Sequence, residues 1–274
     1  MAIDLHKSAE KAGIQLKKQG VDTATLPPMR VGVCLDVSGS MREEYRDGHV
    51  QNALTHLLGL AMHMDKTGRM DVFTFENTAS QCREPATASN YQDYVRRHIL
   101  DDNSVDKWGG TDYAPVIHLA YQHYYPDLTH LHTAHAAHEH IQAMAHHGHG
   151  LMGRLFGRHK PEATPEAPAT INPADHQPTL MLFLTDGECG DHEATRHAVH
   201  AATGLPLFWA FVGLGHDSRL LRELSQETDA EFVNLEHIRI SDDALYGALI
   251  SQKMTGWLRS LPAVSLPGAS LQGA

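Results

Sequence analysis

Arg30-Val31-Gly32-Val33-Cys34-Leu35-Asp36-Val37-Ser38-Gly39-Ser40 is the stretch on which the fold turns. Its first half is apolar with almost no alternation, the pattern of a strand covered on both faces in a parallel sheet. Its second half changes abruptly to a carboxylate, hydroxyls and a glycine. Working outward toward the C-terminus, Val50, Leu54, Leu57, Leu58, Ala61 and Met62 recur at helical spacing, so 43–65 reads as a helix. Met70 to Phe75 reads as a second strand. A third, around Thr78 to Arg83, follows so closely that it must be an antiparallel edge. A helix near 90–100, a loop from Asp101 to Gly110 and a helix over 113–125 come next. Strand-like runs resume at 180–184, 207–212 and 231–234, separated by helical patterns at 191–203 and 217–227 and followed by one near 241–260. Toward the N-terminus, Leu5, Ala9, Ala12 and Leu16 share one face of a helix over 1–20, and Val21 to Pro28 is a connector. Strands alternating with helices predict an α/β fold: a Rossmann-like, doubly wound, mostly parallel six-stranded sheet with one antiparallel edge strand and helices on both faces.

The chain divides into an N-terminal helix and connector (1–28), a main domain (29–260) and a flexible tail (261–274). The main domain is interrupted at about 126–178 by an insertion without strand-like runs, which carries six of the 13 prolines. At 274 residues with 42% apolar side chains, the chain can bury a large core. Lys and Arg total 22 against 33 Asp and Glu, a net charge of −11. That balance argues against nucleic acid as partner, which calls for a basic footprint, and against docking on an anionic membrane. No apolar run approaches the roughly 20 residues of a membrane span. Residues 1–20 lack an apolar signal core, and three cysteines are too few for a disulfide framework, so a cytoplasmic location is expected.

In open α/β sheets, ligands bind outside the carboxyl ends of the strands. Three segments meet that description: Asp36-Val37-Ser38-Gly39-Ser40, Gly109-Gly110-Thr111-Asp112, and Thr185-Asp186-Gly187-Glu188. Their side chains are hydroxyls and carboxylates, the donor set of a hard divalent cation, Mg²⁺ or Mn²⁺, that keeps several waters. Neutral hydroxyls from Ser38, Ser40 and Thr111 leave such an ion electron-poor, while Asp36 and Asp186 balance its charge directly or through water. An open position on the ion would then accept a carboxylate from outside. No nucleophile or general base is built in, so the expectation is a binding device and not an enzyme. Tyr113 and Glu188 are candidates for the rim of the recognition surface.

Asp36-x-Ser38-x-Ser40, then Thr111, then Asp186 resembles the metal-ion-dependent adhesion site of von Willebrand factor A (vWA) domains, in residue type and in position at strand ends. The likeness spans about 30–255. Within that superfamily the chain is most similar to the bacterial tellurite-resistance type, and also to the copines. The closer likeness is carried by Ala9–Lys18, Trp108–Ile117, Leu205–Trp209 and Phe211–Gly215. The resemblance implies a cation-dependent module that binds a protein partner through an Asp or Glu carboxylate, in a stress or tellurite/metal-resistance system. Asp112 stands where that group usually has Asn, an extra carboxylate placed to act on the ion through water.

Eleven of the 22 histidines fall between His118 and His159. Imidazole favours Zn²⁺, Ni²⁺ or Cu²⁺ over Mg²⁺. His132, His135, His138, His146 and His149 include pairs spaced three apart, which share a helix face. A transition-metal-binding protein acting through this insertion, with Zn²⁺ or Ni²⁺, is therefore the alternative reading; a hydrophilic insertion that merely tolerates His is the plainer one. A remoter alternative is a metal-dependent phosphoesterase.

Overall fold

The protein is described by a computed structural model covering residues 3–128, 175–215, 217–235 and 241–262. The apolar run becomes β1 (Arg30–Asp36), and it lies at the centre of the sheet. The remaining strands are β2 (Arg69–Phe75), β3 (Ala79–Gln81), β4 (Ala86–Thr87), β5 (Thr179–Thr185), β6 (Leu207–Leu214) and β7 (Ala230–Leu235). The path through the sheet is β3-β2-β1-β5-β6-β7. All neighbours along it are parallel except the β2–β3 edge. The six strands read from the sequence are present. The structure adds β4, a two-residue strand antiparallel to the start of β2 and too short to show any periodicity.

The lack of alternation in β1 has a direct cause. Val31, Val33 and Leu35 enter one core with Leu180, Leu182, Leu184, Phe208, Ala210 and Val212. Cys34, on the opposite face, joins Phe73, Phe75, Met181, Phe183, Trp209 and Phe211 in a second. Both faces are dry, so both sets of alternate side chains are apolar. The first core is covered by α1 (Leu5–Lys18), α3 (His49–Met64), α7 (Asp242–Leu249) and α8 (Gln252–Ser260), which contribute Leu16, Leu54, Leu249 and Met254. The second is covered by α4 (Ala114–Tyr124), α5 (His192–Ala201) and α6 (Arg219–Glu227), through Ile117, Ala198 and Leu221. Thus α1 lies in the same core as the main domain. Its buried Ser8 bonds His56 of α3 at 2.8 Å and Tyr246 of α7 at 2.7 Å.

Two helices predicted as continuous are broken. The 43–65 segment is α2 (Arg42–Arg46) followed by α3, because Gly48 adopts φ +77, a left-handed conformation that ends a helix at little cost to glycine. The 241–260 segment splits between α7 and α8 at Ser251, whose hydroxyl accepts the amides of Lys253 and Met254 and starts a new helix. The helix expected near 90–100 is a single π-helical turn, Arg96–Leu100. Among the described residues no helix is long and apolar enough to cross a membrane.

Sheet order positions the site. From β1 the chain crosses to β2 on one side, and the later strands β5, β6 and β7 extend from the other. The carboxyl ends of β1 and β5 therefore flank the point where strand order reverses, the ligand crevice of an open sheet.

Candidate metal centre

Asp36 ends β1 and is fully buried. Its Oδ1 accepts the Ser38 amide at 2.8 Å, and its Oδ2 accepts the Thr185 hydroxyl at 2.6 Å. The β1–β5 register, which sets Leu35 opposite Leu184, brings Thr185 beside Asp36. Ser38 and Ser40 bring their hydroxyl oxygens to 3.1 Å, and the Ser40 hydroxyl donates to Asp186 Oδ1 at 2.8 Å. Two carboxylates from sequence-distant strands are thus linked by a short chain of hydroxyls.

The electrostatics are unbalanced. Burial pushes the Asp36 carboxyl up to about 6 from its ordinary 3.8; hydrogen bonds from Ser38 and Thr185 pull it partly back, and the charge on Asp186 pushes it up again. Among the described residues no Lys or Arg pairs with Asp36. A buried carboxylate of this kind calls for a counter-charge. The all-oxygen donor set, three of its five side chains neutral hydroxyls, fits a hard divalent ion and not a thiolate- or imidazole-seeking one. The three cysteines are buried, and burial raises the pKa of each thiol.

Thr111 is brought to the same end by main-chain bonds. Gly39 N donates to Gly109 O at 3.0 Å and Trp108 N to Val37 O at 2.7 Å, joining its loop to the β1 loop. Gly190 N donates to Thr111 O at 2.8 Å, joining it to the β5 loop. Trp108, at φ +78, makes the sharp approach, with its ring edge-on to Tyr45 and under the Arg42 guanidinium. A non-glycine residue held there is a strained position that surrounding contacts enforce. The five predicted oxygen residues therefore lie on three loops tied to one another. Asp36, Ser38, Ser40 and Asp186 are linked through side-chain bonds, and Thr111 through its backbone.

The chain matches a family described as vWA found in TerF C terminus, over residues 28–134 and 129–265. It belongs to the vWA-TerF-like family. This vWA domain is also 28% identical over 264 residues to the uncharacterized protein YcbR of Bacillus subtilis (strain 168), covering 94% of this chain and 86% of that one. Proximal thread matrix protein 1 from the mussel byssus has the same fold, with a TM-score of 0.50 at 12% identity. That match covers 82% of this chain but only 47% of the mussel protein, so the chain spans about half the length of that relative.

One rim assignment needs correction. Tyr113 is wholly buried; its ring stands edge-on to Phe75 and Phe183, and its hydroxyl donates to Gly187 O and bonds Thr185. Position 113 immediately precedes α4 as its N-cap, and this end of α4 faces the sheet. Glu188 is half-exposed but engaged: its carboxylate accepts the Ser218 hydroxyl and the Arg219 amide at the start of α6. It braces that helix end, where the dipole favours negative charge. Asp112 reaches neither Ser40 nor Asp186 by a hydrogen bond; its Oδ2 accepts from Asn77 Nδ2 at 3.1 Å. His132, His135, His138, His146 and His149 lie outside the described residues. Among the described residues no group of three or more His, Cys, Asp or Glu side chains is placed to hold a metal.

Sequence reasoning missed the supports. Thr185 is one: in the sequence it is a hydroxyl at a strand end, with no role assigned to it. Asp191 is another, its carboxylate accepting the Tyr113 and Ala114 amides at the start of α4. Glu76 and Asn77, at the end of β2, are the third.

Proposed function

We propose that this vWA domain is a divalent-cation-dependent protein-binding module. The observation that carries the proposal is the buried Asp36 carboxylate, joined to Asp186 through Ser38 and Ser40, with no Lys or Arg paired to it among the described residues. In this reading Ser38, Ser40 and Thr111 hold Mg²⁺ or Mn²⁺, Asp36 and Asp186 balance its charge, and a partner protein's Asp or Glu completes the shell. The bound cation supplies a fixed positive charge that a carboxylate can recognise. The protein's own part is to keep the hydroxyls aimed outward and Asp36 dry. Among the described residues no histidine or lysine bonds the Ser38 or Ser40 hydroxyl to activate it as a nucleophile, so we read the site as a binding device. Family membership suggests a bacterial stress or tellurite/metal-resistance system, working in the cytoplasm.

Calorimetric titration of metal-free protein with Mg²⁺ and Mn²⁺ tests this. One saturable site in the wild type, lost in the Asp36→Ala/Ser38→Ala variant, is the expected result. Equal binding by the variant would overturn the assignment and move attention to Zn²⁺ and Ni²⁺ at the histidine-rich insertion. Absence of binding by the wild type would overturn cation dependence itself.

A further inference from the structure

The peptide groups on either side of Thr111 are fixed by the loops that follow β2 and β5. Asp112 N donates to Glu76 O at 2.8 Å, and Thr111 O accepts from Gly190 N. These ties are main chain to main chain. The remaining tie is made by a side chain. Asn77 Oδ1 accepts the Gly110 amide at 2.7 Å, while Asn77 Nδ2 donates to Asp112 Oδ2 at 3.1 Å. One carboxamide therefore grips the chain both before and after Thr111.

The glycines in front of Thr111 are what let this grip exist. A Cβ on Gly110 would stand 2.7 Å from Asn77 Nδ2, and a Cβ on Gly109 would stand 1.5 Å from Glu76 Oε2. The loop must pass flat over the end of β2, which only residues without a side chain allow. Asp112 gains a second meaning here. As a carboxylate it can only accept, and the Asn77 amide offers both the donor it needs and the acceptor that Gly110 needs.

We infer that Asn77 is a positioning residue for the Thr111 hydroxyl, acting through a clamp on Gly110 and Asp112. The inference rests on the cation-binding reading for its functional consequence, and its geometry can be read without any cation. Asn77 is exposed and its substitution leaves the core intact, so loss of the fold is not the expected effect.

The test uses the full chain with two variants. Asn77→Ala removes the clamp. Asn77→Asp combined with Asp112→Asn restores it with donor and acceptor exchanged and net charge unchanged. In metal-free protein, amide hydrogen exchange at Gly110 should quicken at least tenfold in Asn77→Ala and return to the wild-type rate in the exchanged pair. Mn²⁺ affinity should fall about tenfold in Asn77→Ala and recover to within about threefold in the exchanged pair. Unchanged Gly110 exchange in Asn77→Ala, or an exchanged pair as impaired as Asn77→Ala, overturns the clamp. If Gly110 responds as stated while the wild type binds no Mn²⁺, the clamp stands as geometry and the cation-binding reading falls. If Mn²⁺ binds and Asn77→Ala leaves its affinity unchanged, the positioning role is overturned.

Discussion

Asp36 carries its charge where burial makes charge costly, and the cost has a definite sign. Its carboxyl is raised from 3.8 to about 6, first by burial. The folded state therefore holds the proton more tightly than the unfolded chain, and stability falls as pH rises from about 4 to about 6. In cation-free protein above pH 6 the ionised group costs roughly 3 kcal/mol. Asp36→Asn removes that cost while keeping an acceptor for the Ser38 amide. The expected outcome is a melting temperature several degrees above wild type in chelator at pH 7.5, together with loss of the rise that Mn²⁺ gives the wild type. Paired melts with and without Mn²⁺ check both halves, and a variant less stable than wild type in chelator would contradict the argument. Thr185→Val should act the opposite way. It removes the hydroxyl that donates to Asp36 Oδ2 and leaves a buried oxygen unpaired, at about 1–3 kcal/mol. In the proposed site protons compete with the cation for Asp36, so Mn²⁺ affinity in this variant should begin to fall at a higher pH than in wild type. Titrations between pH 5 and 8 read that displacement.

At the scale of elements, the two ends of the histidine-rich insertion are fastened by one side chain. Arg30, at the start of β1, donates to Tyr124 O at 2.7 Å just before the insertion and to Gln177 O at 2.9 Å at its far end. Its guanidinium also lies over the rings of Tyr124 and Tyr125 and bonds the Thr179 hydroxyl. Both ends are thus anchored at the amino ends of the strands, away from Asp36 and Asp186 at the carboxyl ends. Replacing residues 129–174 with a short Gly-Ser linker should leave the melting temperature within a few degrees of wild type and Mn²⁺ affinity within about threefold. Calorimetry on the deleted protein decides it: loss of Mn²⁺ binding would mean that the insertion supplies ligands. The elements themselves were largely legible, since a strand buried on two faces and a helix buried on one leave unmistakable patterns at 30–36 and 50–62. What periodicity could not show was where helices break. Apolar spacing runs straight across Asp47-Gly48 and Ile250-Ser251, because the helices on each side of those breaks pack on the same core. The breaks come from a left-handed glycine and a serine cap, which are local backbone events.

For the whole molecule, topology carries the information that the sequence holds only in scattered form. Asp36, Thr111 and Asp186 are far apart along the chain, and all three segments were legible because each follows a strand or starts a helix at the same end of the sheet. The ties among them were not, being mostly main-chain bonds between loops that no residue type announces. Tyr113 misled for a related reason: whether a residue next to a site faces solvent depends on which side of α4 meets the sheet. The same global packing leaves another buried carboxylate far from the site chemistry. Glu231 on β7 is held by the Ser251 hydroxyl at the start of α8, and its Oε1 is buried without a partner among the described residues. Burial raises it from 4.5 to about 7, against smaller opposing effects of the Ser251 bond and the Lys253 charge. A raised carboxyl favours the fold when protonated, so its stabilising proton is lost as pH rises from about 4.5 through 7. Asp71 has the reverse sense. Burial works against its charge, but bonds from His123, Arg69 and Tyr124 outweigh that and hold it at about 2, so its contribution is lost only as pH falls below 3.8 toward 2. Between pH 5 and 8, then, Glu231 is free of interference from Asp71. The stability of Glu231→Gln relative to wild type, in chelator, should increase by about 2–3 kcal/mol from pH 4.5 to pH 8. Urea denaturation at several pH values measures it. The slope is the prediction, since any constant offset only reports how well glutamine fits against Ser251, and a difference that does not change with pH would show that Glu231 titrates in the folded protein as it does in the unfolded chain.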